Sequence, residues 1–186
     1  MHKSLFENCV LASGKCRENR KCSRFFIIGR WIVIPKIMKK FKTKGYFKGV
    51  SIRPGKPFLF AKFKSNNKSF FGLPGNPISS AACFRFFVYP YLLKILDTQF
   101  EKPFNAILKN DFFKRKNFTR FVKAKVSMNK NNKLQVEILK GQESFKINSF
   151  INSNAWAVLK DGKTYFKKGQ TVECYSLGIA NNFFFK

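Results

Sequence analysis

Two short proline–glycine bends carry the residues of this chain best suited to holding an anion. In Arg53-Pro54-Gly55-Lys56-Pro57, two permanent cations sit three positions apart around a tight turn. Proline presets φ and glycine supplies a positive φ, which predicts a type II turn at a strand end. Gly55 lets a ligand oxyanion approach the backbone, while Arg53 and Lys56 offer charge-assisted donors. In Leu73-Pro74-Gly75-Asn76-Pro77-Ile78-Ser79 a second bend opens straight into an apolar helix. Asn76 is a good N-cap, Pro77 suits the first helical position, and the leading N–H groups there have no intrahelical partner. Those amides and the positive end of the helix dipole can hold an anion. Taken singly, the first bend also reads as a hairpin turn with solvated cations, and the second as an ordinary capped helix. Together, one strand apart, they point to a shared ligand crevice on an α/β sheet.

The elements that must position these bends follow from hydrophobic period. Residues 46–52 and 57–63 read as strands joined by the first bend, with a second turn at Asn66-Asn67-Lys68 and a third, buried strand over 69–73. Upstream, the apolar block 25–41 reads as a strand followed by a short helix starting near Pro35. After the second bend, Phe84, Phe87, Val88, Tyr91, Leu92 and Ile95 recur at helical spacing, so one helix face packs on the sheet. Pro90 removes one intrahelical bond and should kink that helix about a turn earlier. Beyond a linker at 98–104 the pattern changes to short strands at 120–127, 133–139, 155–159 and 171–177. Turns at 129–132 and Asp161-Gly162 separate them, which predicts a small all-β barrel or sandwich. The fold class expected is therefore α/β followed by a small β-barrel.

Composition bounds the rest. At 186 residues the chain holds one domain or two small ones, and 45% apolar residues with 25 Phe can bury a core. Lys and Arg number 37 against 9 Asp and Glu, a formal charge of +28 that favours anionic partners: nucleic acid, acidic lipid or a phosphorylated small molecule. Lys, Phe, Asn and Ile are jointly inflated, so part of that charge is compositional. The longest apolar stretch, 25–34, is too short to span a bilayer and carries Arg30, and the first residues lack a secretory apolar run. A cytoplasmic protein with no membrane partner is expected. Five Cys, at 9, 16, 22, 83 and 174, suit reduced thiols. Cys9, Cys16 and Cys22 are spaced too widely for zinc knuckles, and His2 supplies no convincing fourth ligand, so no metal site is expected.

The segment SIRPGKPFLFAKF, followed by FFGLPGNPISSAACFRFFVYPYL, resembles the molybdopterin molybdenumtransferase family, which includes MoeA and the gephyrin E domain. That family has a PGKP turn, a short hairpin, then GLPGNPVS and a helix with an internal proline. Residues 119–123 are similar to its strand entering the last domain. Gly141-Gln142 through Asn154-Ala155-Trp156-Ala157-Val158-Leu159 resembles its GQGS to ANGLAVLP segment. The likeness covers about residues 29–177.

The resemblance implies the C-terminal half of an enzyme that joins molybdate to adenylylated molybdopterin, releasing AMP with Mg²⁺ assisting. Arg53, Gly55 and Lys56 then belong to the PGKP turn, and Pro74, Gly75, Asn76, Pro77 and Ser79 to the GLPGNPxS loop, as the cofactor-binding set. The implied units are a degenerate or disordered remnant at 1–28, part of a molybdopterin-binding α/β domain at 29–97, the linker at 98–104, and a barrel at 105–186. Upstream the likeness fails. The family's glycine-rich ligand loop falls at 23–29, where this chain has Arg24 and Phe25, whose Cβ atoms forbid close backbone approach. A metal-binding acidic position aligns with Ile32, which cannot hold Mg²⁺, and a family lysine aligns with Gly49. Little or no molybdenum insertion by this chain alone is the expectation, and a frame-shifted or degenerated 1–28 is one explanation. Absent leading strands would leave an exposed sheet edge near 46–52. Family members are dimers, which leaves a homodimer open here. The alternative function is a single-stranded nucleic-acid-binding module, from Lys interleaved with Phe in KKFKTKGYF and FFKRKNF.

Overall fold

The structure, a computed structural model, describes residues 43–63, 68–115 and 117–178. Expectations for 1–28, for the 25–41 block, for Ile32, for Cys9, Cys16 and Cys22, and for Asn66 and Asn67 lie outside the described residues.

Four strands come first: β1 (Thr43–Lys48), β2 (Ile52–Arg53), β3 (Leu59–Phe63) and β4 (Ser69–Gly72). β1, β3 and β4 make an antiparallel sheet in that order. Pairing of the first two strands ends at Lys48↔Leu59, short of the expected 52 and 57. Gly49, at φ +83°, turns the chain there, and its N–H donates to Phe58 O at 2.8 Å. The chain then makes a wide loop in which Ile52 and Arg53 leave the small sheet altogether. Of the expected open edge at 46–52, β1 ends the sheet among the described residues, whereas Ile52 is paired elsewhere.

A continuous helix follows as α1 (Pro77–Cys83), a π-helical stretch (Phe84–Val88) and α2 (Tyr89–Ile95). Pro90 has no N–H to offer Phe86 O, and the preceding turn widens so that Tyr89 N–H reaches Phe84 O, five residues back. The expected kink is thus a π-helical turn. One face stacks Phe87 on Phe58, centroids 4.7 Å apart, and sets Tyr91 against Phe71 at 5.0 Å, as the helical period predicts. Ile95, one turn beyond those rings, is 49% exposed rather than packed.

The remainder is β5 (Phe104–Leu108), β6 (Phe112–Phe113), β7 (Thr119–Met128), β8 (Leu134–Ile138), α3 (Asn148–Ile151), β9 (Ala155–Leu159), β10 (Tyr165–Phe166) and β11 (Thr171–Ser176). β7, β8, β5, β11 and β9 pair in sequence, and β9 returns to β7, closing a five-stranded barrel. Alternate residues point inward: Val122, Ala124 and Val126 from β7, Ala155, Ala157 and Leu159 from β9, Val172 and Cys174 from β11. Their small side chains suit so narrow a barrel. The turn after β7 is held by Asn129 Oδ1, which accepts from the N–H of Asn131 and of Lys133, both at 2.9 Å.

Sheet, helix and barrel are packed together. Outward-facing Phe121 and Trp156 of the barrel meet Ile78, Ala82 and Phe86 of the helix. Buried Arg85 donates from Nε to Ser176 O at 3.2 Å and pairs with Glu101, whose segment was expected to be a linker. Among the described residues no helix is long and apolar enough to cross a membrane.

Candidate functional site

Both bends leave the same end of one ladder. Leu59 pairs with Gly72 across β3 and β4, so the Arg53–Pro57 bend runs into that end and the Leu73–Pro77 bend runs out of it. This register brings the two bends, expected one strand apart on one sheet, to the same end of the ladder, while Arg53 itself leaves that sheet in β2.

The first bend differs from the expected turn. Its hydrogen-bonded turn is Gly55 to Phe58, with Phe58 N–H donating to Gly55 O at 3.0 Å, so Lys56 and Pro57 take the central positions. The Arg53–Pro54 peptide is cis. Gly55 has φ +112°, and a Cβ there would come within 2.5 Å of Cys83 Sγ. The glycine is therefore needed for the bend to seat on α1, a packing role in place of the predicted opening toward a ligand. Cys83 is buried, its thiol directed at Gly55 O at 3.6 Å, and burial pushes its pKa up to about 12. Arg53 and Lys56 stay exposed on either side of the buried glycine.

The second bend forms as predicted. Asn76 caps the helix, its Oδ1 accepting from Ser79 N–H at 3.2 Å and from Ser79 Oγ at 3.4 Å, with Pro77 at the first helical position. Ser80 Oγ donates to Pro74 O, and Ser80 N–H to Asn76 O at 2.8 Å. Capping changes what the helix start can offer. Pro77 has no N–H and that of Ser79 goes to the cap, which leaves Ile78 N–H and the exposed Gly75 backbone as the donors nearest this end. Gly55 touches α1 at Cys83, about two turns along from Asn76, so the two bends flank the first half of the helix.

β2 ties the first bend to the barrel. Ile52 and Arg53 pair in parallel with Thr119 and Arg120 of β7, Thr119 N–H donates to Ser51 O at 3.0 Å, and Ser51 Oγ to Asn117 O at 2.7 Å. Sequence reasoning missed this. A two-residue parallel contact between distant segments leaves no local pattern. It places Arg120 beside Arg53, and burial first, then the Arg53 charge, draws the Arg120 pKa below the ordinary arginine range.

The Gly141-Gln142 and Asn154 positions serve the barrel. Gln142 clamps β7: its Oε1 accepts from Lys123 N–H at 3.0 Å and its Nε2 donates to Lys123 O at 2.7 Å. Asn154 does the same for Val126, at 2.7 and 2.9 Å. Lys123, only 1% exposed, donates to the carbonyls of Gly141, Glu143 and Lys146 at 2.7 to 3.1 Å. Desolvation lowers its pKa. A cavity of about 210 Å³ lies elsewhere, lined by Arg85, Phe86, Tyr89, Leu93, Glu101 and Tyr175 among others, and none of the predicted site residues borders it.

Two family models match the chain in succession: a probable molybdopterin binding domain at residues 33–94, and the MoeA C-terminal region (domain IV) at 105–177. Molybdopterin molybdenumtransferases of Haemophilus influenzae and Bacillus subtilis are each 31% identical, over 139 and 148 residues, or 73% and 78% of this chain. The chain spans about a third of the length of these curated relatives (34% of each). A crystal structure of a molybdopterin biosynthesis MoeA protein from Pyrococcus horikoshii, 26% identical, covers 77% of the chain with a TM-score of 0.60. A molybdenum cofactor biosynthesis protein from Pyrococcus furiosus, 21% identical with a TM-score of 0.56, shares the fold. The ordered pair of matches, sheet-and-helix unit then barrel, coincides with the architecture above. The chain belongs to the molybdopterin molybdenumtransferase family, in the region of that family that runs from the molybdopterin-binding domain into the C-terminal barrel.

Proposed function

We propose that this chain supplies the phosphate-facing part of a molybdopterin site in molybdenum cofactor biosynthesis, where molybdate is inserted into adenylylated molybdopterin. The observation that carries this reading is the Leu59↔Gly72 register, which brings both bends to one end of the sheet. Arg53 and Lys56 supply exposed cations there, and the Pro74, Gly75, Asn76, Pro77 and Ser79 loop supplies a rigid rim with the Ile78 amide behind it. Fixed cations and amides act in such chemistry by orienting a phosphoanhydride and balancing the charge that develops on it. Gly55 contributes by letting the bend lie flat on α1, which fixes where the two cations point.

Mg²⁺ does not fit the described residues, among which no group of three His, Cys, Asp or Glu could hold it. Molybdate enters as a substrate. The relatives lend nothing to the nucleic-acid alternative, and of its FFKRKNF segment Phe112 packs against the barrel core.

Titration of adenylylated molybdopterin against the 186-residue chain, followed by pterin fluorescence, tests the reading. Saturable binding is expected, weakened about tenfold or more by R53Q together with K56Q. Undetectable binding by the native chain, or binding indifferent to both substitutions, overturns it.

A further inference from the structure

Arg120 is the cation that neither bend contains. Its α-carbon is in register with that of Arg53 on the adjacent parallel strand, about 4.8 Å away by ordinary strand spacing, and in-register residues of paired strands project from the same face. The Arg120 guanidinium lies over the Phe112 ring, 5.2 Å from its centre, so one side of it is shielded from water. Among the described residues neither the Arg53 nor the Arg120 side chain has a hydrogen-bond or ion-pair partner. The carboxylate whose charge reaches Arg120 is Glu143, which is exposed and pairs with Lys146 at 3.6 Å. Two further cations stand nearby, Lys114 and Lys123, both buried and both already donating to backbone carbonyls. Against these four cations stand two acids, Glu143 and, beside Lys114, Asp161, so this end of the barrel keeps a positive balance.

We propose that Arg53 and Arg120 form a two-guanidinium clamp for a tetrahedral oxyanion, with Arg120 acting as a specificity-determining residue contributed by the barrel. A carboxylate presents two oxygens in one plane, whereas a phosphoryl or molybdate group presents three or four in a tetrahedral array that two forks can grip from different directions. Repulsion between the two arginines in the empty site is relieved when the anion binds. The face of Phe112 holds the Arg120 guanidinium in place, so little side-chain freedom is lost on binding. The clamp deepens the function proposed above and rests on it only for the origin of the anion, a phosphoryl group of the pterin nucleotide or molybdate itself.

Isothermal titration of inorganic pyrophosphate and, separately, of molybdate into the full chain tests the clamp, in phosphate-free buffer at low ionic strength. Expected is saturable binding of at least one anion, weakened about tenfold by R120Q and partly restored in R120K, while K94Q, an exposed cation on α2, binds as the native chain does. The preferred anion identifies which group the clamp takes. Thermal melts give a second readout: the anion should raise the melting temperature of the native chain and leave that of R120Q unchanged. Equal weakening by K94Q and R120Q would reduce the effect to net charge and overturn the clamp. So would native-strength binding by R120Q, or no binding of either anion. Loss of the clamp with pterin nucleotide binding intact leaves the proposed function standing, and Arg120-dependent anion binding without pterin nucleotide binding does the reverse.

Discussion

The ring of Phe86 lies flat against that of Phe121, centroids 3.9 Å apart and planes 7° from parallel. This stack joins the helix to the barrel, with Trp156 and Tyr175 meeting Phe86 edge-on at 6.3 and 5.3 Å. It packs the sheet-and-helix unit against the barrel, on either side of the segment expected to link them. F86A should destabilise the chain by about 3 kcal/mol, from lost burial and the cavity left behind. Urea unfolding should then separate into two transitions, one for each unit. A single transition at native stability would refute this.

Gly55→Ala meets two obstacles, a φ of +112° and the Cys83 sulfur 2.5 Å from the new Cβ. A cost of about 2 kcal/mol or more is expected. Adding C83A removes the closer steric obstacle but leaves the conformational one and Ile52 Cδ1 at 3.0 Å, so it should recover part of the loss. Full recovery, or none, measured by denaturant midpoint, would show that only one of the two obstacles matters.

The Arg85–Glu101 pair has side chains only 5% and 10% exposed, whereas Lys109 and Glu137 are 54% and 42% exposed. Removing one member of the buried pair strands a charge in a desolvated place. E101A should therefore cost about 3 kcal/mol, and E137A far less. Comparable values from chemical denaturation would contradict the burial argument.

Alkaline stability follows from the two buried thiols. Burial pushes Cys83 and Cys174 up to about 12, from 9.0. Between those values the unfolded chain releases the thiol protons and the native chain keeps them, so native stability is intact below about pH 9 and falls as pH rises toward 12. Melting temperatures from pH 8 to 11 should decline, and C83A with C174A should flatten that part of the decline. In the folded chain at pH 8, alkylation of both residues should be slow, since little thiolate is present.

Asn76 accepts from both Ser79 N–H and Ser79 Oγ, and N76A should cost about 1 kcal/mol. Helix unfolding should begin at that end, with faster amide exchange at Ile78 and Ser79 than at Ala82. Unchanged exchange there would mean that Pro77 alone fixes the helix start.

Local chemistry was the legible part of the sequence. Asn76 with Pro77 announced the helix start, Pro90 announced the irregular turn, and a short apolar run ahead of the Asp161-Gly162 turn announced Ala155–Leu159 to the residue. The type II reading of Arg53 to Lys56 failed because it used the local signature alone. Tertiary contacts of Gly55 with Cys83, and of Ile52 with Thr119, decide where that chain bends. Arg120 went unnoticed for a related reason: its meaning comes from a neighbour 67 positions away, and strand alternation within 119–128 says nothing about it. The burial of Lys123 was likewise illegible, since a cation buried on three carbonyls cannot be told from a solvated one by type.

The two-residue strand Ile52–Arg53 also has a mechanical side. It works as a tether through which the orientation of the barrel is transmitted to the head group of Arg53. The position of that arginine therefore depends on how the barrel packs on the helix, through Phe121 and Trp156, as well as on its own bend. In a relative of altered barrel packing, affinity for the anion should change even though every residue around the anion is the same.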